Sequence, residues 1–364
     1  MSGYAIENEL MDPTIVRTDT TVVETTIHYP TDSSLLWDCA RVLIRLLRDG
    51  RTYAPDFLNN RFHDKKLKRL FVAITRGSRS KAKGRKAKTN KRKLKKYFRK
   101  LIAGVQRLVD VAEPFVVHAT SAPTIELNRI GAALERLLPE VKKVVQQSIR
   151  AQLDGETVPA NERIFSIFEP HTELIVRGKA RKAVEFGHKI LLTEAEGTFI
   201  TDYDVLPATP NDRHLGERVI ERHKKLYGEA PEVLAGDAGF HPGEEKRQDL
   251  EEQVDVLAIP GKVSDRIKKE LAPWHRFRAG VEGTISVLKR AFRLFRCVYR
   301  GFNNFATNVG MGVFCHNLVL LSRLQIEGLT GCINSEHLEG KHRRGMLIEK
   351  QNRRKQDIRK LNQL

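Results

Sequence analysis

From about Phe57 to Leu153 the chain keeps helical spacing, and on both sides of that block the pattern turns to strands. Leu94, Phe98, Leu101, Val105 and Leu108 recur every three or four residues, as do Ile130, Leu134, Leu137, Val141 and Val144. Before the block, Thr14 to Val23 is rich in β-branched residues and predicts a strand with Asp19 near its middle. Asp32 or Ser33 is expected to cap a helix through Leu35, Leu36, Cys39, Leu43 and Leu46 that stops at Gly50. After Glu156, strands are expected at Ile164 to Phe168, Phe186 to Leu192 and Phe199 to Val205, the last two joined by a turn at Glu194 to Gly197. Asn211 or Asp212 caps a predicted helix carrying Leu215, Val219, Ile220 and Leu226, closed by Gly228. Short strands follow at Glu232 to Asp237 and Val254 to Ile259. One helix is then predicted around Glu282, and an apolar one from Phe305 to Leu324. Strands that alternate with helices in this order make an α/β arrangement.

A chain of 364 residues that is 40% hydrophobic can bury a sizeable core, and its net charge of +19 calls for a polyanionic partner, nucleic acid above all. A protein with merely basic surface loops would share that charge. Cys39, Cys297, Cys315 and Cys332 have no C-x-x-C spacing and read as reduced core thiols rather than a disulfide frame or zinc knuckle. No His or Cys set has zinc spacing. No signal peptide is expected, and Val309 to Leu321 is broken by Gly312, His316 and Asn317, so no membrane span is expected either. The expectation is a soluble, cytoplasmic, nucleoid-associated protein.

The segment from Arg76 to Lys100 contains Arg85, Lys86, Lys91, Arg92 and Lys93 and no acid; its Gly, Ser and Thr content predicts a loop that is flexible when free and clamps a DNA backbone. The predicted helix around Glu282 has a different character. Taking Arg278 as zero at about 100° per residue, Lys289 falls at about 20°, Glu282 at about 40° and His275 at about 60°. Arg296 returns to about the azimuth of Arg278, while Val281, Ile285, Leu288, Phe292 and Phe295 fall between about 260° and 340°. An apolar face can bury while one carboxylate flanked by cations lines its edge. That mixture suits a metal ion beside a DNA phosphate: the acid ligates the ion and the cations meet the phosphate.

Two further acids stand out. Asp19 lies on the first strand, and Asp237 ends a later one in Ala-Gly-Asp-Ala-Gly-Phe, where small neighbours allow close approach. Two-metal phosphoryl chemistry needs such a set of carboxylates. Taken singly, each acid could be a surface or turn residue; the ordered set carries the reading. Asp202, Asp204 and Asp212 read as turn and cap residues. The basic turn at Arg177 to Lys179 could touch DNA. Trp37 reads as core, and Trp274, at the entrance to the Glu282 helix, could stack on a base.

These three motifs resemble those of DDE transposases of bacterial insertion sequences, with the ISNCY-like group nearest. The strand around Asp19, the strand end at Asp237, and Arg278-x-x-x-Glu282-x-x-x-x-x-x-Lys289 are similar to the family's first, second and third acid motifs, with His275 where the third usually has Tyr. The resemblance implies an RNase-H-like mixed sheet flanked by helices and interrupted by a basic, mainly helical insertion. Residues 1–34 would supply the first strand, 35–153 the insertion, 154–330 the rest of the core and 331–364 a charged tail. It implies Asp19, Asp237 and Glu282 as catalytic metal ligands for Mg²⁺ or Mn²⁺, two ions in all. It also implies cleavage of transposon ends, strand transfer into target DNA, and a homodimer on DNA. Phosphate contacts are expected from Arg278, Lys289, His275 and Arg296. Eighteen residues before Asp19 are fewer than the family's usual N-terminal DNA-binding region, so a truncated or repurposed nucleic-acid binder is the alternative, and a structure-specific nuclease a third.

Overall fold

In the computed structural model, described for residues 2–81, 83–176, 183–261 and 265–329, everything around the first acid is built on one strand, β1 (Ile15–Thr25). Its β-branched residues favour the pleated backbone. The other strands are β2 (Glu173–Val176), β3 (Val184–Ala195), β4 (Ile200–Leu206), β5 (Val233–Ala235), β6 (Val256–Ala258) and β7 (Arg296–Cys297). The helices are α1 (Ser2–Glu7), α2 (Asp32–Tyr53), α3 (Asp64–Ser78), α4 (Gly84–Thr120), α5 (Ile125–Ser148), α6 (Leu215–Tyr227), α7 (Glu244–Glu251), α8 (Asp265–Arg290) and α9 (Phe302–Leu329).

The chain divides into two compact units, Met1–Thr25 with Lys179–Leu364, and Thr26–Gly178. The first unit holds a mixed sheet in the order β4-β3-β1-β5-β6. β1 runs antiparallel to β3 and parallel to β5, which runs parallel to β6. Side chains alternate between two faces. Val16, Leu191, Leu234 and Leu257 pack with Leu215, Val219 and Ile220 of α6 and Leu250 of α7. Their sequence neighbours Ile15, Val233, Ala235, Val256 and Ala258 pack with Leu271 and Trp274 of α8. Farther along that second face, Val23, Ile190 and Leu192 meet Leu288 of α8 and Phe305, Val309 and Val313 of α9. This is the helix-flanked mixed sheet expected of an RNase-H-like core, with the Thr26–Gly178 unit intervening between β1 and β3.

The second unit is helical around one core that includes Leu43 and Leu47 of α2, Ile74 of α3, Leu101, Val105 and Phe115 of α4, and Leu134 and Val141 of α5. Its ends lie at residues 26 and 178, whereas the sequence reading drew them at 35 and 153. All of α2 and the buried Ile164 and Ile167 pack into this helical core.

Several local expectations change. Ile164 to Phe168 forms no strand; its apolar residues are a buried loop tied by Gln147, whose Oε1 accepts from Ile164 N at 2.9 Å. The cap of α2 is Thr31, in a capping box with Ser34, and Asp32 is the first helical residue. The run from Arg76 to Lys100 is not a loop. α3 extends to Ser78 and α4 starts at Gly84, because Lys, Arg, Ala and Leu are good helix formers and Leu94 and Phe98 anchor the run to the core. The hairpin is pinned by Asn90 Nδ2 donating to Gly77 O at 2.9 Å. The helix around Glu282 ends at Arg290, so Phe295 is exposed and Arg296 lies on β7, donating to Glu24 Oε2 at 2.7 Å instead of sharing the azimuth of Arg278. Within α9, Phe302–Gln325 is long and apolar enough by length and composition to cross a membrane, against the expectation from Val309 to Leu321. Phe305, Val309 and Val313 on one side of it are buried against the sheet. Cys39, Cys297 and Cys315 form no disulfide. The Arg177–Lys179 turn, Cys332 and the tail from 331 lie outside the described residues.

One buried side chain closes α9 onto β4. Asn317 Oδ1 accepts from Ile200 N at 3.0 Å and its Nδ2 donates to Ile200 O at 2.8 Å. Asn317→Leu would leave both backbone groups unsatisfied, a cost of about 2–4 kcal/mol. Chemical denaturation should show that loss; a change below about 0.5 kcal/mol would mean that the pair contributes nothing to stability.

Candidate active site

The parallel pairing of β1 with β5 sets the site. Val16 pairs with Leu234 and Arg17 with Ala235, where the pairing ends, and Asp19 and Asp237 each follow two residues later. Period-two alternation puts Asp19 on the face of Arg17, which is the face α8 covers, and the charge of Asp237 acts on it there. β5 ends at Ala235, and Asp237 then caps a short turn, its Oδ1 accepting from Gly239 N at 2.8 Å. Asp19 Oδ1 accepts from Thr20 N at 2.7 Å. Both carboxylates are partly buried, whereas the Glu282 side chain is 67% exposed.

Asp19 registers all of its neighbours. Its carboxyl is pushed up to about 6 by burial first of all, with the charges of Asp237 and Glu282 adding to the rise; the Thr20 amide and Arg278 pull the other way. Three acids and Arg278 thus act on one small volume. Arg278 Nη2 stands 3.4 Å from Glu282 Oε1, one helical turn away. His275 is held below the ordinary imidazole value by burial and by Arg278, which disfavours its cationic form. Lys289 is half-buried further along α8.

What fixes α8 here was not singled out from the sequence. Arg17 forms a buried ion pair with Glu194 of β3, the two side chains being 7% and 0% exposed. Arg17 also donates to Phe277 O at 2.5 Å and lies 4.8 Å over the Phe277 ring. Thr284 Oγ1 donates to Glu194 Oε1 at 3.1 Å. Gly280 makes room, since a Cβ there would fall 2.1 Å from Arg17 Nη1. These contacts bracket Glu282, two residues after Gly280 and two before Thr284. Arg17 sat in a β-branched strand and Glu194 in an expected turn; only the lone Arg at a strand position bound to be buried could have flagged the pair.

The remaining candidates are otherwise engaged. Asp212 bonds Lys189 Nζ at 3.1 Å and Thr20 Oγ1 at 3.3 Å, and Thr20 alternates to the face opposite Asp19. Asp202 and Asp204 lie on β4, paired with Arg222 and Arg218. Trp274 is 1% exposed in the α8 core, edge-on to Phe277, and cannot stack on a base. Trp37 stacks on Phe71. Arg85, Lys86, Lys91, Arg92 and Lys93 are all exposed in the helical unit.

Mutually repelling carboxylates with oxygen donors fit a hard divalent cation, which would relieve the repulsion that raises Asp19. Among the described residues no three His, Cys, Asp or Glu groups are drawn together tightly enough to hold an ion as they stand. Glu282, exposed and turned to Arg278, is the member that would have to swing in.

A raised carboxyl binds its proton more tightly folded than unfolded, so ionising Asp19 costs stability. That cost is absent below about pH 4 and complete above about pH 6. Without metal, Asp19→Asn should therefore stabilise the protein by of order 2 kcal/mol at pH 7.5 and by little at pH 4. Equal stabilisation at both values would place the cause elsewhere. Gly280→Ala should cost about 1–3 kcal/mol through overpacking against Arg17. Gly283→Ala, whose Cβ meets nothing within 4 Å, should be neutral or stabilising. Thermal melts that rank the two the other way would refute the clamp.

The family described as transposase DDE domain matches residues 153–318, less than half of the chain. The match includes Asp237 and Glu282 and begins after the strand that carries Asp19. No significant match was found among curated proteins or solved structures. Residues 153–318, with the mixed sheet and the acid on the covering helix, are thus similar to the transposase DDE domain family.

Proposed function

We propose that the protein cleaves transposon ends and joins them to target DNA by metal-dependent phosphoryl transfer, with Asp19, Asp237 and Glu282 as the metal ligands. The observation that carries the reading is Asp19 on β1 and Asp237 just past the end of the parallel strand β5, with the helix that bears Glu282 on the same face as Asp19 and both other acids acting on Asp19 by charge. Mg²⁺ or Mn²⁺ held there, in one or two ions, would supply positive charge for the attacking and leaving oxygens. The chain's own residues do the rest. Asp19 is available as an anionic ligand above about pH 6, so metal binding and activity should rise through that range. Arg278 now neutralises Glu282; when Glu282 turns to a cation, the guanidinium is freed to meet a phosphate. His275, its cationic form disfavoured, can donate or accept a hydrogen bond beside it. Lys289, on the same azimuth, would hold a neighbouring phosphate. Two DNA ends would call for two copies of the chain.

Asp19→Asn, Asp237→Asn and Glu282→Gln should each lower Mg²⁺-dependent cleavage of element-end DNA by about a hundredfold or more, with DNA binding retained. Undiminished cleavage in any one removes that residue from the site. Arg278→Ala should slow cleavage with little loss of stability. Joining of a 3′ hydroxyl end to a second DNA molecule separates a transposase from a nuclease. The outward turn of Glu282 favours one other reading, a nucleic-acid binder whose centre no longer assembles. Salt-sensitive DNA binding with no metal-dependent chemistry would establish it.

A further inference from the structure

Between α3 and α4, inside the helical unit, lies a cleft of about 510 Å³ that the catalytic reading does not use. Its rim carries Arg61, Lys66, Arg99, Lys100 and Arg107, all exposed, and no Asp or Glu lines it. Among the described residues none of these five cations has a salt bridge, and the acid at the start of α3, Asp64, is 3.3 Å from Arg48. The floor is apolar, formed by Leu67, Leu70 and Leu108. The cleft is a built feature. A Cβ at Gly104 would fall 2.4 Å from Leu67 Cδ2, so the glycine lets the helices approach until leucines seal the floor. Phe62 lines one end, held by the Arg51 guanidinium 4.8 Å over its ring.

Five like charges over an apolar floor repel one another without an anion between them. Arg99 and Arg107 stand eight residues apart on α4, about 12 Å, the rise of three to four steps along a DNA strand. Three of the cations, Arg61, Lys66 and Arg107, lie outside the run Arg76 to Lys100 that the sequence had marked, and the fifth and seventh turns of α4 present Arg99, Lys100 and Arg107 on a preformed helix. A rigid, multiply charged partner with anions at regular spacing meets this arrangement; a single small anion would leave most of it unsatisfied.

We propose that the α3–α4 cleft is a second DNA-binding site, a sequence-independent seat for a duplex phosphate backbone, apart from the carboxylate centre. The choice of DNA rests on the transposase reading; the phosphodiester chemistry rests on the cleft. Backbone contacts fix register without reading bases, so the site would serve any DNA sequence equally.

The test uses the full chain and a labelled duplex of about 30 base pairs with random sequence, read by fluorescence anisotropy in chelator so that no metal chemistry intervenes. In the variant Arg61→Gln, Lys66→Gln, Arg99→Gln, Arg107→Gln, the log–log salt slope should fall by about 3 to 4, at about 0.9 per phosphate contact. Affinity at fixed moderate salt should fall at least about tenfold, with an unchanged melting temperature. Ala103→Glu, which adds an acid to the cleft and removes no cation, should weaken binding in the same direction. An unchanged slope and affinity in both variants would overturn the proposal, as would equal competition by polyglutamate of matched charge, which would make the cleft a general anion trap. Cleavage by the Asp19, Asp237 and Glu282 variants does not enter this readout, so either reading can fail without the other.

Discussion

The buried pair of Arg17 and Glu194 is the contact on which the site depends. It joins β1 to β3 and, through Phe277 O and Thr284, joins both strands to α8. Burying two charges is costly, and such a pair adds little net stability compared with well-packed apolar residues. Losing one partner is another matter, at about 3–5 kcal/mol, because the other charge is left stranded. The pair therefore acts as a selector of position. α8 cannot slide or rotate on the sheet without breaking it, and Glu282, between Gly280 and Thr284, is held over the strand that bears Asp19. An apolar contact would have tolerated a register of α8 in which Glu282 missed the sheet edge.

The same geometry creates a tension that function can use. Asp19 lies on β1 and Asp237 just past the end of the adjacent parallel strand β5, and both are partly buried. Burial and like charge push Asp19 up to about 6, which marks a site that stabilises the fold less than neutral residues would. A divalent cation turns that liability into binding energy, since the ion recovers the repulsion that folding had to overcome. Glu282, exposed and paired with Arg278, completes the ligand set only by moving. Metal and substrate would then be linked, because the motion that brings the carboxylate in releases the guanidinium for phosphate.

Much of this could be read in the sequence, and the limits have physical causes. β1, β5, β6 and the closure of α6 at Gly228 followed from β-branched runs and turn residues, whose signals are local. So did the buried face of α8, where Val281 and Leu288 are core as their azimuths required. Ile164 to Phe168 failed because a short apolar run looks the same whether it enters a sheet or plugs a helical core. The basic run after Arg76 was taken for a loop because its glycines and charges obscured good helix formers; the anchors Leu94 and Phe98 decide the matter only through tertiary contact. Arg296 shared an azimuth with Arg278 only while the helix was assumed to continue past Arg290. Arg17 and Glu194 lie 177 residues apart, and no periodicity links such partners.

The most direct test of the account is a titration of the metal-free protein with Mn²⁺, followed by electron paramagnetic resonance of the free ion, beside Asp19→Asn, Asp237→Asn and Glu282→Gln. The unaltered protein should bind saturably at neutral pH, and each variant should lose at least about tenfold in affinity, as expected when one ligand of a shared ion is removed. Identical Mn²⁺ isotherms for all four proteins would contradict it, because the three carboxylates would then share a neighbourhood without sharing a cation.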